Sequence, residues 1–471
     1  VPERISPARR FAFALGNAGF QLGDRVVVAI AVYFYLPPPG RGLVPQIPER
    51  VFFGFLTLYG LAMLVGRVFD SISDPVVGWA SDRSRARLGR RRTFLVAGVL
   101  PMVVIPALLF FPPGAPGSAA NTAWLFGLLS LYFVFFTVYV APYLALIPEI
   151  AWTQRERLTL GTLLALVSLP VAGLFGSAWP LSIDLGRAAG LEPAASLRVL
   201  VVVASLLALV LCLAPILAVD ERRFARSVPS PLSFRGAVTR TLRDRAFCIY
   251  LVSQGLFVFG LNVIQPLTPY LATVVLGRSE GFAAWFGLAT FVGVGLGFAA
   301  IHPIVRRLGP KRVMALCSAV FGLALCGLGL LRADAPGGPD DARNLALVFG
   351  ALGVIGIPIA GFFVIPNVLI AQMIDRDERD GGSQRSAMYY GIQGFLTKWI
   401  YGVSLWVLTL LLARFGNSPE QPFGVILAGP VAGVACLLSA AVLSAYPERE
   451  VLAATARTLP AEAGREPAAP R

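Results

Sequence analysis

The chain is poor in the residues enzymes use. It has one histidine, His302, among 471 residues, with no serine or acid clustered around it. A lone histidine near a helix end is more often structural than a ligand, so zinc chemistry has no support. The five cysteines, Cys212, Cys248, Cys317, Cys326 and Cys436, sit in or beside apolar segments without a CxxC pair. They read as small packing residues. HExxH and Walker sequences are missing. No enzyme, cofactor or resident metal is expected. Charge is scarce as well: Asp, Glu, Lys and Arg make up 14% of the chain against 56% hydrophobic residues. With a mean hydropathy of +0.72, the chain is too apolar for a soluble protein of this length. The net charge of +14 would suggest nucleic acid in a soluble protein. Here the arginines cluster in short loops between apolar runs, where they orient helices, so nucleic-acid binding is not expected.

What is present is a series of apolar runs, each near the roughly 20 residues that an about 30 Å hydrocarbon core requires. Twelve can be drawn: Phe11–Leu36, Phe52–Ala80, Thr93–Phe111, Thr122–Ile150, Leu158–Ala178, Val199–Val219, Ala246–Val275, Phe282–Ile304, Val313–Leu331, Asn344–Ile374, Ser386–Arg414 and Pro422–Ala445. RISPARR precedes a run long enough to span, so no cleavable leader is expected. One set of loops holds Arg83–Arg92, Arg155, Arg157, the basic linker, Arg306, Arg307, Lys311, Arg312, Arg376, Arg379 and Arg385; the other is nearly uncharged, sparsely basic or acidic (Asp334, Asp340, Asp341). The arginine-rich side is cytoplasmic by the positive-inside rule, which puts both termini inside a bacterial inner membrane. The organisation expected is an all-α membrane protein with a six-helix bundle over 1–220, a basic linker over 221–245 and a second bundle over 246–446. The Ala/Pro/Glu-biased tail over 447–471 reads as disordered. RARLGRRR after the second run is echoed by RRLGPKR after the eighth. Two parallel six-helix repeats form the major facilitator architecture, with a substrate site at the midplane between them.

The second run contains RVFDSISDPVVG, from Arg67. Asp70, Ser73 and Asp74 stand at i, i+3 and i+4 and share one helical face. A carboxylate at that depth costs about 2.5–3.5 kcal/mol on insertion scales, so it is functional by default. Carboxylates and hydroxyls are hard oxygen donors that suit a small hard cation. They also suit a proton, where burial and a neighbouring acid raise one carboxyl's pKa. The alternative role is structural: an Arg67–Asp70 ion pair along the helix, with Asp74 bonding to backbone.

At DSISDPVVG the chain resembles the glycoside–pentoside–hexuronide:cation symporters, the melibiose-permease branch of the major facilitators. TVYVAPYLALIPEI with QRERLTL, AQMIDRDERDGGSQRS, and MYYGIQGFLTKW extend the likeness through both halves. The resemblance implies twelve membrane helices and uptake of a solute coupled to sodium or protons. By position it implies a cation site of Asp70, Ser73, Asp74 and Thr137. It also places Lys398 where it would approach those carboxylates in the empty carrier. Sugar recognition departs from the family pattern. The positions of its first-helix acid, fourth-helix acid and tryptophan, and fifth-helix arginine hold Gln21, Val140, Leu144 and Ala165. A pocket stripped of its hydroxyl partners has little grip on a sugar. GNAGFQ on the first helix is similar to the lysolipid-transporting relatives, yet Leu163–Leu169 offers no phosphate-pairing arginine.

The remaining polar residues with cavity-facing candidacy are Gln21, Tyr139, Tyr143, Gln254, Asn262, Gln265, Asn367, Gln372, Tyr390, Gln393 and Lys398. Asp24 and Arg25 are equally consistent with substrate contact and with pairing between the halves. Lys398 lies mid-run, which disfavours snorkelling to an interface. Asp82, Arg83, Arg90 and Arg91 resemble the facilitator loop between helices two and three. Their expected role is a gate that pairs across the halves when the outside is open, or else plain topology. The function expected is a monomeric, cation-coupled carrier of a small organic or amphipathic solute in the lipid bilayer. The alternatives are a lysolipid transporter, a cation-independent facilitator, or a membrane receptor without transport.

Overall fold

The computed structural model describes residues 5–49, 51–52, 56–151, 154–175, 179–221, 242–332, 341–379 and 386–448. The linker over 222–241 and the tail from 449 lie outside the described residues.

The first half begins with α1 (Pro7–Arg25), which runs through a π turn (Val26–Ile30) into α2 (Ala31–Tyr35). It continues with α3 (Leu58–Arg83), α4 (Arg92–Leu108), α5 (Ala119–Ile150), α6 (Gln154–Leu169, then a π turn over Pro170–Phe175), α7 (Leu181–Ala188) and α8 (Pro193–Ala218). The second half holds α9 (Arg245–Tyr270, then a π turn over Leu271–Val275), α10 (Ala283–Leu308), α11 (Pro310–Gly327), α12 (Asp341–Arg379), α13 (Ser386–Phe415) and α14 (Phe423–Ser444). Each apolar run carries a helix among the described residues. Two features were not expected: the short α7, and a hairpin of β1 (Val51–Phe52) with β2 (Leu56–Thr57). The hairpin delays the second span to residue 58, where the Thr57 hydroxyl caps the helix by accepting Gly60 N at 3.1 Å.

Eight of the described helical segments are long and apolar enough to cross a bilayer unaided. The chain through α1 and α2, and α3, fall short because charged side chains interrupt them; α4 and α6 fall short in length. The charged helices are those that line the midplane site. The most apolar segment, α8, turns Val199, Val203, Leu206, Val210 and Leu217 outward in one exposed stripe. A soluble monomer does not leave such a face uncovered.

In the first half α1 packs on α8 and α6, while α3 and α4 pack on α5; in the second, α10 and α11 pack on α12, and α9 and α11 on α14. The halves meet chiefly along α3 and α13. Glycine permits that approach: a Cβ on Gly60 would lie 2.9 Å from Trp406 Cα.

The repeat visible in the sequence is present in the backbone. RARLGRRR and RRLGPKR each turn at a glycine of positive φ, Gly89 at 113° and Gly309 at 82°. Each glycine faces an acid that follows the last helix of its own half. A Cβ on Gly89 would meet Glu221, and one on Gly309 would meet Glu448. Glu221 also accepts Arg91 N at 2.7 Å and Arg92 N at 3.1 Å, placing an anion at the amino end of α4.

Candidate functional site

At mid-membrane the two halves are joined by charge. Lys398 Nζ, from α13, donates to Asp70 Oδ1 at 3.0 Å and to Asp74 Oδ1 and Oδ2 at 2.8 and 2.7 Å. Thr137, from α5, has its hydroxyl 2.8 Å from Asp70 Oδ1 and 3.1 Å from Asp74 Oδ1. Arg67 donates to Asp70 Oδ2 at 3.2 Å while lying 4.2 Å from the Phe133 ring and 5.3 Å from that of Tyr401. The helical pair with Arg67 and the contact with Lys398 therefore coexist on Asp70. The Asp70 side chain is 0% exposed and that of Asp74 is 31% exposed, so Asp74 is the more accessible carboxylate of the two. Two acids and two bases balance here. A further cation is accommodated only if Lys398 gives up its place or its proton.

The first helix forms the wall opposite. Asn17 and Gln21 donate to Ser168 Oγ of α6 at 2.6 and 2.9 Å. Arg25 donates to Gln265 Oε1 of α9, a second midplane link between the halves. Phe20, Gln21, Asp24, Arg67, Phe136, Lys398 and Tyr401 line one cavity.

On the side away from the N-terminus the halves are shut. Arg187 of α7 forks onto Glu280, just before α10, with Nη2 3.2 Å from Oε1. Glu280 is wholly buried, and its hydrogen bond holds the Arg187 guanidinium above its usual range. Asp184 accepts Gly281 N at 3.0 Å, Tyr270 OH donates to Leu36 O at 2.6 Å, and the Thr57 and Thr409 hydroxyls meet at 2.7 Å. On the opposite side, Arg90 and Arg91 reach Glu149 at 2.8 and 3.2 Å, all within the first half. Of the expected gate residues, Arg90 and Arg91 thus pair inside one half while the far side is closed. Arg83 is exposed, and the Asp82 side chain lies outside the described residues.

Several predicted positions need correction. Ser73 shares the helical face of the acids, but its hydroxyl donates to Asp70 O of its own helix at 2.9 Å and bonds to neither carboxylate. Tyr139 and Tyr143 do not face the cavity. They are fully buried against α1 and α8, donating to Cys212 O at 2.8 Å and Phe13 O at 2.6 Å. Gln254 and Asn262 are buried within the second half and do not line the cavity beside Lys398. Asn367 turns back on its own helix, donating to Phe363 O at 3.2 Å. Gln372 and Gln393 are half-buried and make no hydrogen bond to the cluster among the described residues; the Tyr390 side chain lies outside them. Of the sugar-pattern positions, Val140 is buried, Leu144 is exposed and the Ala165 side chain is outside the described residues. Ser168, Glu149, Glu221 and the Arg187–Glu280 pair were not singled out from sequence. The serine is the one polar residue between Leu163 and Phe175, and that is the signal that would have found it.

Two helical bundles joined at a charged midplane, shut on one side, define a membrane transporter of the major facilitator class. Residues 54–443 match the family model described as MFS/sugar transport protein, and the chain belongs to that family. An uncharacterized symporter of Synechocystis is 26% identical over 34% of this chain, a match spanning only 28% of that protein's length. Uncharacterized symporter YnaJ of Bacillus subtilis is 24% identical, covering 93% of this chain and 91% of its own. The human sodium-dependent lysophosphatidylcholine symporter 1 is 24% identical over 87% of this chain and 78% of that one. Among solved structures, a D-xylose-proton symporter aligns with a TM-score of 0.65 at 14% identity, covering 94% of this chain and 98% of that one.

Proposed function

We propose that the protein is a cation-coupled symporter that moves a small organic solute by alternating access, with sodium or a proton as the coupling ion. The observation that carries this is Lys398, a cation from one half held by Asp70 and Asp74 of the other. An ion arriving from the cavity competes with that ammonium for Asp74, then for Asp70 and Thr137. These are oxygen donors of the kind sodium takes, and carboxylates of the kind a proton takes. Releasing Lys398 loosens the midplane link between the halves. Ion binding is thereby tied to their relative movement, as differential affinity for two states requires.

The solute is not a melibiose-type sugar, because Val140 and Leu144 put no hydrogen-bonding side chain where that pattern needs one. A lysolipid or related amphiphile is the second candidate, supported by the human relative's name and by GNAGFQ on α1. The test is Asp74→Asn assayed for solute accumulation and for binding. The expected outcome is loss of concentrative uptake in a protein that still folds. Normal accumulation by that variant would overturn the coupling role of Asp74, and equilibration without accumulation by the unaltered protein would leave a cation-independent facilitator on the same fold. A thermal-shift screen with and without sodium, over a range of pH, identifies the ion, since a ligand of the native state raises its apparent stability.

A further inference from the structure

We propose that the substrate carries a protonated amine or comparable cationic donor, received by Asp24 and by the side-chain carbonyl of Gln21. This rests on the transport proposal and names its substrate class. The case starts from a hydrogen count. Ser168 has one hydroxyl hydrogen, and it goes to Leu164 O at 2.7 Å. Its oxygen can then only accept, and it does so from Asn17 Nδ2 and Gln21 Nε2. This fixes the Gln21 amide with its NH2 toward α6 and its carbonyl oxygen left over on a cavity-lining residue. Asp24 lies three residues on, on the same face of α1, and lines the same cavity. No hydrogen bond or ion pair holds its carboxylate among the described residues. The α1 wall therefore presents acceptors.

The cations nearby each already hold a partner, although Arg67 Nε and Arg25 Nε are buried without one. Lys398 is spread over two acids. Arg67 is bound to Asp70 between two aromatic faces. Arg25 is bound to Gln265. An anionic solute would have to take these cations from carboxylates that already hold them. A cationic one meets two open acceptors and the rings of Phe20, Phe136 and Tyr401, which line the same space. Aromatic faces attract cations most strongly where water is excluded.

The full-length protein in lipid nanodiscs is titrated with benzylamine, benzyl alcohol and benzoate, three ligands of one shape and different charge. Calorimetry is expected to give benzylamine at least about tenfold tighter binding than the other two. Asp24→Asn removes that preference and Asp24→Glu restores part of it. Equal or tighter binding of the alcohol or of benzoate, or no benzylamine binding at all, overturns the proposal. The three-ligand series on the unaltered protein decides the matter even if Asp24→Asn does not fold. Failure of the coupling proposal looks different: benzylamine then binds with its preference intact, but neither sodium nor pH alters its affinity in the unaltered protein or in Asp74→Asn.

Discussion

Thr137 has one hydroxyl hydrogen and two carboxylate oxygens in reach, Asp70 Oδ1 and Asp74 Oδ1. It can serve one fully at a time, so its second role is as an oxygen donor to whatever sits between the acids. Thr137→Val keeps the shape and removes both roles. Its expected effect is about fivefold weaker dependence of uptake on the coupling ion, the scale of one hydrogen bond near 1 kcal/mol. It is read as the half-saturating ion concentration, or as a shift along the pH axis. Ser73→Ala is expected to leave that dependence unchanged, because the Ser73 hydroxyl is spent on its own helix backbone. A large effect from Ser73→Ala would return it to the ion site. At this scale the sequence was informative about which face a residue occupies and silent about its rotamer. The i, i+3, i+4 spacing grouped Asp70, Ser73 and Asp74 correctly, but a serine in a helix has a backbone carbonyl always within reach. Tyr139 and Tyr143 show the same limit, since a phenol on a membrane helix fits a cavity or a packed core with a carbonyl partner equally well.

Among the elements, α10 and α12 have the closest backbone approach tied to small side chains. A Cβ on Gly293 would run into the Gly353 carbonyl, and one on Gly297 would lie 2.5 Å from Ile357 O. Small residues let membrane helices approach where lipid offers no hydrophobic drive to associate. Gly293→Leu is expected to cost about 1–3 kcal/mol or more through overpacking, read as a lowered unfolding temperature in detergent. Gly295, with open space around its Cβ position, is the control, and Gly295→Ala should be near neutral. Helix existence was legible throughout because about 20 apolar residues leave few alternatives in a bilayer. The hairpin before α3 and the short α7 were not, because both lie outside the hydrocarbon pattern and depend on contacts with the other half. The π turns were also invisible in sequence. Two of them occur at corresponding places, Val26–Ile30 after α1 and Leu271–Val275 after α9, which extends the repeat beyond the arginine loops that first showed it.

For the whole molecule, the closed side rests on one buried ion pair, with Asp184 on Gly281 N, Arg41 on Thr273 O and neutral contacts around it. Glu280 is 0% exposed and Arg187 is 36% exposed at its side chain. Glu280→Gln removes the charge that draws the two halves together there and leaves an arginine able to turn to water. The expected outcome is a shift toward the state open on that side, seen as faster labelling of a cysteine placed near Thr273. Unchanged labelling would show that the tyrosine and threonine contacts suffice. This latch lay beyond sequence reasoning because Arg187 and Glu280 are far apart in the chain and neither falls in a recognisable motif.

Lys398 also sets a limit on how tightly the free ion can bind. It is one of only two lysines in the sequence, with Lys311, and it is tethered beside the carboxylates it neutralises. A tethered group competes at an effective concentration on the order of millimolar or above, whatever the medium contains. The apparent affinity for the coupling ion is therefore the intrinsic affinity divided by one plus that concentration over the ammonium's own dissociation constant. Shortening the tether should sharpen ion binding and slow ion release together. On the proposed coupling, an ion that bound more tightly would have no internal rival to drive it off, and turnover would depend on the carrier holding its own competitor.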